Sequence, residues 1–477
     1  MLIFSIFLIL LVTIIILCFF NYSDKFVKIL SLTSASLIFL LSCILTFTKF
    51  NTNTSYFEKI IYSEPESNIL NWNYFFGLDG ISLLFFFLSA FLIFLCIIYI
   101  WEENSFKEYA INLFLIEFFL LVIFSTLNLL IFYLFFEAIL IPMFLIIGLY
   151  GSRARKIRAV YLFFFYTLGS SILLLLGIIY IYNKTGTLNL EILFSVEFSI
   201  IEQRFLWLAF FLSFASKIPM FPFHLWLPEA HVEAPTVGSV LLAGILLKLG
   251  VYGFLRFNMA LFPFAWNFYS PFIFALAILG ILHASIVAIR QSDIKRIVAY
   301  SSIAHMNTIM AGLFSGTITG LNGALLQSIS HGFVSGGLFF MIGMIYSRFH
   351  TRFLYYYGGL VMAMPIFSIF FLLFTLANIA LPGTSSFVGE FLLLKGIFYN
   401  NIYVCIISAT GVILCGGYAL WVCNKLLFGN VKEYTTNITD LSKREFIILL
   451  FLFFFIIIIG LYPNFFLKFF VFTTYIN

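Results

Sequence analysis

Long apolar stretches recur along this chain of 477 residues and constrain its fold more than any other feature. A helix of about 20 apolar residues can cross a bilayer, and on that rule the chain contains about fourteen candidate spans. They cover residues 2–20, 26–48, 78–100, 109–127, 129–149, 157–182, 205–227, 237–258, 269–289, 295–315, 320–346, 363–398, 402–427 and 445–468. Only 9% of the residues are charged, whereas a soluble protein carries about 25%. The sequence therefore predicts an all-α polytopic membrane protein and excludes a soluble fold.

Two of these stretches are interrupted. Pro219 and Pro222 lie inside the seventh, and the segment ANIALPGTSSFVGE, which contains Pro382, lies inside the twelfth. A proline at bilayer depth frees backbone carbonyl groups, which are tolerated only where protein or cavity water satisfies them. We therefore predict two broken helices, and with the charges near them these breaks indicate an ion path.

The two interruptions also indicate an internal repeat. The fifth stretch carries Glu137 and the seventh carries Lys217; five stretches later, the tenth carries His305 and the twelfth carries Glu390. An odd number of helices in each unit gives the two units inverted topologies. We predict a single membrane domain, residues 1–477, in which two inverted five-helix repeats lie between N-terminal helices and a last helix. The predicted boundaries are 1–108, 109–258, 269–428 and 443–477.

The loops are short and predict an orientation. Lys and Arg are more frequent in odd-numbered loops than in even-numbered ones, so the odd loops should face the matrix or cytoplasm and both termini the opposite side. The polar segments 49–75 and 183–204 are long enough only for an amphipathic helix or a hairpin. The net charge of +5 is spread over the loops and indicates no nucleic-acid partner.

The first twenty residues, MLIFSIFLILLVTIIILCFF, have no basic region and no small-residue cleavage site. They resemble a retained first helix more than a targeting peptide. We expect a protein made in bacteria or inside an organelle. The 67 phenylalanines are typical of an AT-rich genome and favour the mitochondrial inner membrane, with the bacterial plasma membrane as the alternative.

Glu137, Lys217 and Lys248 are charged residues inside apolar stretches of the first predicted repeat, 109–258. Glu137 has no basic residue within a helical turn, and Lys217 and Lys248 are the cations available to it. A charge at this depth normally marks a functional site, and a buried lysine can release its proton when its surroundings change. We predict a proton relay; a structural ion pair is the alternative for Glu137 and Lys217. A lysine reaching for the membrane surface fits poorly, because Lys217 is far from either end of its stretch.

Further along the chain, His305 and His331 lie on neighbouring stretches among Ser, Asn, Gln and Gly. Imidazole changes its charge near physiological pH, so a polar chain between the two rings can pass protons. Glu390 follows the second break and is the predicted last carboxylate of this polar axis. Each histidine could instead be a hydrogen-bonded structural residue.

Other polar residues have no assigned role. Glu117 fits packing or the path equally well, Lys395 could pair with Glu390 or face a loop, and Lys425 is near a helix end, where reaching the surface is favoured.

The segment HLWLPEAHVEAPT holds His224, Glu229, His231 and Glu233, but Pro228 breaks the helical spacing that a zinc pair needs. We expect these four residues to cap and anchor the eighth helix rather than bind a metal.

No cofactor motif is present. The six cysteines lie in apolar stretches without a CxxC pair, and the sequence contains neither a dinucleotide-binding nor a phosphate-binding glycine loop. We therefore expect no cofactor in this chain.

The segment KIPMFPFHLWLPEAHVEAPTVGSVLLAGILLKLGVYGFLRF, at 217–257, resembles the signature region of NADH:ubiquinone oxidoreductase chain 4. That family is one of three antiporter-like subunits in the membrane arm of respiratory complex I. Further matches are GLDGIS, LFFEAILIPMFLIIGLYGSR, DIKRIVAYSSIAHMN, HGFVSGGLFFMIGMIYSRFHTR and GTSSFVGEF. They cover most of residues 77–395, whereas the first 76 and last 80 residues match only as hydrophobic helices.

The resemblance implies fourteen helices, two inverted repeats and a lateral row of charged residues. It implies that Glu137 and Lys217 form the family's carboxylate–lysine pair and that Lys248 is the central lysine. The remaining implied positions are His305 and His331 as bridging histidines and Glu390 as the carboxylate of the second broken helix. Lys395 and Glu117 do not match the family pattern.

The function implied by the resemblance is proton translocation, driven by NADH:ubiquinone electron transfer in other subunits. The implied partners are the neighbouring antiporter-like subunits and membrane lipids, and NADH, FMN, iron–sulfur clusters and ubiquinone are expected in other subunits. The alternative is a subunit of a multisubunit cation/proton antiporter, which would work without flavin and iron–sulfur partners. A purely structural membrane scaffold is a third possibility, in which Lys217 would not matter for pumping.

Overall fold

The computed structural model describes residues 2–20, 23–49, 58–59, 76–430, 432 and 439–470, and these are almost entirely helical. The helices of the first half are α1 Leu2–Phe19, α2 Asp24–Ile44, α3 Gly80–Tyr99, α4 Phe106–Ser125, α5 Leu129–Ala138, α6 Leu140–Tyr150, α7 Lys156–Thr185, α8 Leu190–Leu193, α9 Ile200–Lys217, α10 Trp226–Glu233, α11 Thr236–Leu241 and α12 Leu247–Gly253. Those of the second half are α13 Pro263–Arg290, α14 Ile294–Leu313, α15 Ile318–Phe349, α16 Leu360–Ala363, α17 Pro365–Asn378, α18 Ser385–Asn400, α19 Ile402–Leu427, α20 Lys443–Leu461 and α21 Pro463–Leu467.

Within the described ranges, eleven helices are long and apolar enough to cross a membrane, so the predicted polytopic helical fold is confirmed. The other three predicted stretches correspond to the broken pair α9 and α10, to α14, and to the broken pair α17 and α18. The count of fourteen spans and the two inverted repeats stay predictions.

Most of the polar segment 49–75 lies outside the described residues. Apart from Lys49, its described part is the two-residue strand β1, Glu58–Lys59, which pairs antiparallel with β2, Gly77–Leu78. In the other polar segment, 183–204, α7 ends at Thr185, and the single-turn helix α8 lies between it and the start of α9 at Ile200.

Both predicted helix breaks are present. Helix α9 ends at Lys217, and the turn that contains Pro219 and Pro222 leads to α10. The indole Nε1 of Trp226 donates to the carbonyl oxygen of Ser216 at 2.9 Å, so a side chain satisfies a carbonyl group that the break frees. The break is therefore held together by hydrogen bonds of the protein itself.

At the second break, α17 ends at Asn378, Pro382 lies in the turn, and α18 begins at Ser385. The hydroxyl of Ser386 donates to the carbonyl oxygen of Ala377, and that of Thr384 donates to the carbonyl oxygen of Leu381 at 2.7 Å. Short polar side chains thus replace the missing intrahelical hydrogen bonds.

The helices contain irregularities that the hydrophobic pattern does not predict. The fifth stretch is divided at Ile139, two residues after Glu137. Two π-helical segments, Leu242–Leu246 and Phe254–Met259, flank α12. The last stretch, predicted to run over 445–468, is also divided, because α20 ends at Leu461 and Pro463 begins α21. π-helical turns often occur at functional sites, and the segment Leu242–Leu246 ends two residues before Lys248.

Helix α15 lies at the centre of the bundle and packs against α14, α18 and α20. Its contact with α18 is very close, because a Cβ atom added to Gly389 would lie 2.9 Å from the Cα atom of Gln327. Only a glycine leaves room for this approach. The close packing brings the polar residues of α15 and α18 into contact.

Candidate functional site

The site is centred on Lys248 of α12, which is fully buried. Its Nζ atom lies 2.8 Å from Nδ1 of His331 on α15 and donates to the carbonyl oxygen of Ala243. The π-helical segment just before α12 leaves Ala243 as an acceptor five residues before the lysine. A buried ammonium group is tolerated only when such acceptors surround it.

His305 of α14 and Glu390 of α18 form a second contact. Nδ1 of His305 lies 3.1 Å from Oε1 of Glu390, and both side chains are at least nine-tenths buried. The same carboxylate oxygen accepts from Nε2 of Gln327 on α15 at 3.1 Å. An imidazole with its Nδ1 hydrogen can therefore donate to a carboxylate that a neutral amide also holds in place.

The two histidines connect these contacts. The ring centroids of His305 and His331 are 5.8 Å apart, with the ring planes inclined at 53°. This separation is within the range of aromatic contacts and is short enough for one bridging water. The order Lys248, His331, His305, Glu390 is thus contiguous, and it joins α12, α15, α14 and α18 across the bundle.

The second pair, Glu137 and Lys217, is close but not in direct contact. Glu137 occupies the last turn of α5, and its buried carboxylate oxygens have no hydrogen-bond partner. Lys217 ends α9, and its Nζ atom lies 4.5 Å from the centroid of the Phe136 ring, next to Glu137. The charges are near enough to interact electrostatically, and Ser171 of α7 lies beside the carboxyl group.

Glu137 and Lys217 thus interact through space, and the ring of Phe136 contacts the lysine. A desolvated cation over an aromatic face gains about 2 kcal/mol, so the ring provides Lys217 with a second stabilising contact when Glu137 is neutral. The pair can therefore exist in more than one charge state without breaking a short salt bridge.

Within residues 76–430, which the structure describes, no hydrogen bond joins Lys217 to Lys248. The two lysines are nevertheless on closely packed elements, because α12 contacts α9. The six residues therefore form two groups, a contiguous one from Lys248 to Glu390 and a carboxylate–lysine pair beside it.

The structure separates the four residues of the segment HLWLPEAHVEAPT. The His224 ring packs against His283 at 5.0 Å, Glu229 pairs with Arg296 at 2.7 Å, and the His231 ring stacks on Phe339 at 4.6 Å. Within the described ranges, no group of three or more His, Cys, Asp or Glu residues could hold a metal ion.

The expected capping of the eighth helix is wrong. Pro235 occupies the cap position before α11, and no side chain caps that helix. All four residues precede this cap position, since α10 ends at Glu233 and Ala234 separates it from Pro235. Glu229 and His231 contact α14 and α15 instead.

A buried charge cluster holds the end of α10. Nζ of Lys295 donates to the carbonyl oxygen of Ala234 at 2.5 Å, and Arg352 donates to the carbonyl oxygen of Val232. Arg352 also lies 4.0 Å from Glu233 and 3.9 Å from Asp293. Burial lowers the pKa of Arg352 from its ordinary value, and the charge of Asp293 opposes that shift. These contacts position α10 and the start of α14 rather than extend the row of ionisable residues.

The three unassigned charged residues have different environments. Glu117 is fully buried in α4, and its carboxylate oxygens have no hydrogen-bond partner. Lys395 is exposed on α18, and the partners of Glu390 are His305 and Gln327 instead. Lys425 is exposed in the last turn of α19, as expected for a lysine near a helix end.

Three residues at the site were not singled out from the sequence. Gln327 contacts Glu390, and Cys415 lies between Tyr418 and His305. The spacing of Cys415 and Tyr418 places both on one face of α19, but nothing in the sequence indicates which helix that face contacts.

Comparison with known proteins identifies the family. The profile of the family "NADH:quinone oxidoreductase/Mrp antiporter, TM" matches residues 126–415. NADH-ubiquinone oxidoreductase chain 4 of Marchantia polymorpha is 50% identical over 91% of this chain and 88% of its own length. The chain 4 protein of Chondrus crispus is 48% identical over 93% of this chain and 91% of its own length. The chain belongs to the NADH-ubiquinone oxidoreductase chain 4 family.

Solved structures agree with this family. A chain in the structure of respiratory complex I from Thermus thermophilus with bound NADH is 30% identical, with a TM-score of 0.88 over 100% of both chains. A chain of an archaeal membrane-bound sulfane sulfur reductase has a TM-score of 0.83 at 22% identity, over 96% of this chain and 76% of that one. The second likeness concerns the fold alone. The resemblance predicted from the quoted motifs is thus confirmed.

Proposed function

We propose that this chain is a proton-translocating subunit of the respiratory complex I membrane arm, and that its buried Glu, Lys and His residues form the proton relay. The class of the subunit rests on the chain 4 relatives and on the complex I chain of the same fold. The relay rests on one observation above all, the contiguous contacts from Lys248 through His331 and His305 to Glu390.

The first step in the relay is a proton transfer between Lys248 and His331. At 2.8 Å, the pair shares one hydrogen that is bonded either to Nζ or to Nδ1. When the ammonium group donates, the imidazole is neutral; when the proton crosses, the amine is neutral and the imidazole is charged. Lysine suits this role because, unlike arginine, it can be deprotonated in a protein.

The next steps pass the charge to the second broken helix. A proton leaves His331 for His305 through a ring movement or one bridging water across the 5.8 Å between the centroids. Nδ1 of His305 then donates toward Glu390 at 3.1 Å. Gln327 donates to the same carboxylate oxygen and keeps it pointed at the imidazole.

The charge state of the pair Glu137 and Lys217 drives the relay. A change of charge in a neighbouring subunit alters the attraction between them, which is large at low dielectric. When that attraction weakens, Lys217 gives up its proton toward Lys248 on the adjacent helix. Because no short salt bridge has to break, this step depends on electrostatics alone.

The rest of the complex supplies the energy. NADH, FMN, iron–sulfur clusters and ubiquinone belong to other subunits, and the neighbours of this chain are the other membrane-arm subunits and lipids. The complex lies in the mitochondrial inner membrane, with the odd loops facing the matrix and both termini facing the intermembrane space. The repeats 109–258 and 269–428 each form one half of the proton path.

The proposal is tested by Glu390→Gln in the assembled complex in sealed vesicles. The amide keeps the size and one hydrogen bond of the carboxylate but cannot accept a proton. We expect assembly at the normal level and a fall in proton pumping of about 100-fold or more, the low end for losing a proton-transfer group. The matched control is Glu202→Gln, which changes a carboxylate at the start of α9 that pairs with Lys184.

Normal pumping in Glu390→Gln, with normal assembly, would remove Glu390 from the relay and leave a structural contact. Pumping that depends on sodium and continues without NADH oxidation would favour the cation/proton antiporter instead.

A further inference from the structure

The row of ionisable residues has a branch at His305. Nδ1 of His305 faces Glu390, whereas Nε2 on the other side of the ring lies 3.7 Å from Sγ of Cys415 on α19. The hydroxyl of Tyr418, one turn further along α19, donates to the same sulfur at 3.1 Å. The thiol therefore lies between a hydroxyl group and an imidazole that is already part of the relay.

The surroundings of Cys415 are polar, which is unusual for a buried cysteine. Such a residue normally packs as a small apolar group. Here the carbonyl oxygen of Asn378, at 3.6 Å, is an alternative acceptor for the single thiol hydrogen, and the sulfur accepts from Nδ2 of Asn378 at 3.8 Å. Cys423, two turns along the same helix, has a single polar contact, with the hydroxyl of Thr375 at 3.8 Å. The two cysteines thus differ in environment although both are buried.

The hydrogen-bond directions make a continuous path. Tyr418 can donate to Cys415, the thiol can donate to Nε2 of His305, and Nδ1 of the same ring can donate to Glu390. Each group between the two ends is both a donor and an acceptor. A proton entering at Tyr418 can therefore reach Glu390 without passing Lys248.

Topology shows which end of the bundle this path approaches. Tyr418 is nearer than Cys415 to the end of α19 at Leu427, and Ser301, beside the tyrosine hydroxyl, is one turn nearer than His305 to the start of α14. Those two helix ends lie on one side of the bundle. The loop that runs from α15 to α16 joins them, because Leu354 donates to the carbonyl oxygen of Ser292 and Gly359 to that of Phe428.

We propose that Tyr418 and Cys415 form a second proton entry to the relay, which leads from the side of the bundle where α14 begins and α19 ends to His305. This proposal rests on the proposed function, because it needs His305 and Glu390 to carry protons. It supplies protons to His305 by a route that does not include Lys217 or Lys248, and each pumping cycle needs both routes.

The transfer conserves protons at each atom. One proton arrives at Oη of Tyr418 as its own hydrogen moves to Sγ of Cys415. The thiol hydrogen moves to Nε2 of His305, and the hydrogen on Nδ1 moves to Glu390. One proton enters, one arrives on the carboxylate, and the three groups between end as they began, except that the imidazole hydrogen has changed nitrogen. A rotation of the His305 ring, or an exchange of protons with His331, returns the hydrogen to Nδ1.

The test compares four variants in the assembled complex in sealed vesicles, with assembly and the NADH-driven proton pumping rate as readouts. Cys415→Ala and Tyr418→Phe each remove one member of the path, and we expect proton pumping to fall by about tenfold in both. Cys415→Ser keeps a hydrogen that can be passed on and should retain most of the pumping. Cys423→Ala is the matched control and should pump normally.

Two variants guard against a folding defect. Tyr418→Phe removes one oxygen atom and preserves the ring, so it tests the path even when Cys415→Ala fails to assemble. The rescue by serine separates proton transfer from packing, because a purely structural cysteine would be replaced no better by serine than by alanine.

The proposal is overturned if Cys415→Ala and Tyr418→Phe pump at the normal rate while Glu390→Gln does not, and the main relay then stands alone. Equal losses in Cys415→Ser and Cys415→Ala would also overturn it. Normal pumping in Glu390→Gln is a different outcome, because it overturns the proposed relay itself.

Discussion

Replacing Lys248 by methionine separates its role as a proton carrier from its contribution to stability. The lysine is fully buried, and its Nζ atom has two partners, the carbonyl oxygen of Ala243 and Nδ1 of His331. Hydrogen bonds from a charged group contribute about 1.5–3 kcal/mol each. Burying the ammonium group costs several kcal/mol, and methionine of similar volume removes that cost.

The two contributions nearly cancel, so Lys248→Met should change the stability of the complex by no more than about 3 kcal/mol, which corresponds to leaving one or two acceptors unsatisfied. Proton transfer has no such compensation, because a thioether cannot carry a proton between α9 and His331. We therefore expect normal assembly and a fall in coupled pumping of about 100-fold or more.

Lys248→Arg distinguishes a role in proton transfer from a role that needs only the positive charge. A guanidinium group keeps the positive charge but is not deprotonated in proteins, so it can balance charge and cannot relay. If Lys248 acts by passing a proton, arginine should fail as methionine does. If it acts only by its charge, arginine should restore pumping.

The assay is proton uptake per NADH oxidised in sealed vesicles, measured with a pH-sensitive dye beside the quinone reductase rate. Lys395→Met is the control, because Lys395 is an exposed lysine of α18. Pumping by Lys248→Arg at the wild-type rate would refute the reasoning, and so would normal pumping by Lys248→Met.

Two further predictions concern stability, each measured by thermal unfolding of the purified complex. Gly250→Val should destabilise the contact between α12 and the first helix break by about 1–3 kcal/mol. A Cβ atom at this position would lie 2.4 Å from Ile218 and 2.8 Å from the carbonyl oxygen of Phe214. An unchanged unfolding midpoint would show that the two elements move apart freely. Arg348→Ala should lower the free energy of unfolding by about 3–5 kcal/mol, because Glu445 then loses the two hydrogen bonds, of 2.9 and 2.7 Å, that join α15 to α20. A loss below about 1 kcal/mol would mean that solvent replaces the pair.

Much of the site was predictable because charge is so rare in this sequence. Lys217 and Glu390 stand beside proline-containing breaks in apolar stretches, and each feature is costly in a bilayer. His305 and His331 were recognisable from their polar neighbours. The structure places both breaks where the prolines indicate and brings the two histidines together.

Contacts between distant segments were not predictable from those signals. Nothing near Lys248 indicates that its partner is His331, because a helix pattern says which residues share a face but not which helix that face meets. The same holds for Cys415, because neither the number of cysteines nor their spacing indicates that its partner is His305. The expected caps at His224, Glu229, His231 and Glu233 failed for this reason, since their partners lie on α13, α14 and α15 or in the loop after it.

The sequence by itself determined that this protein is a helical membrane protein, where two of its helices break, and which few residues bear charge inside it. Those properties follow from the local cost of moving polar groups and charges out of water, which each segment incurs alone. Only the tertiary structure decided that four of those residues form a contiguous row and that Glu137 and Lys217 interact through space beside the ring of Phe136. Such contacts depend on how closely the helices approach, as at Gly389 against Gln327, and on side-chain directions that no single segment specifies.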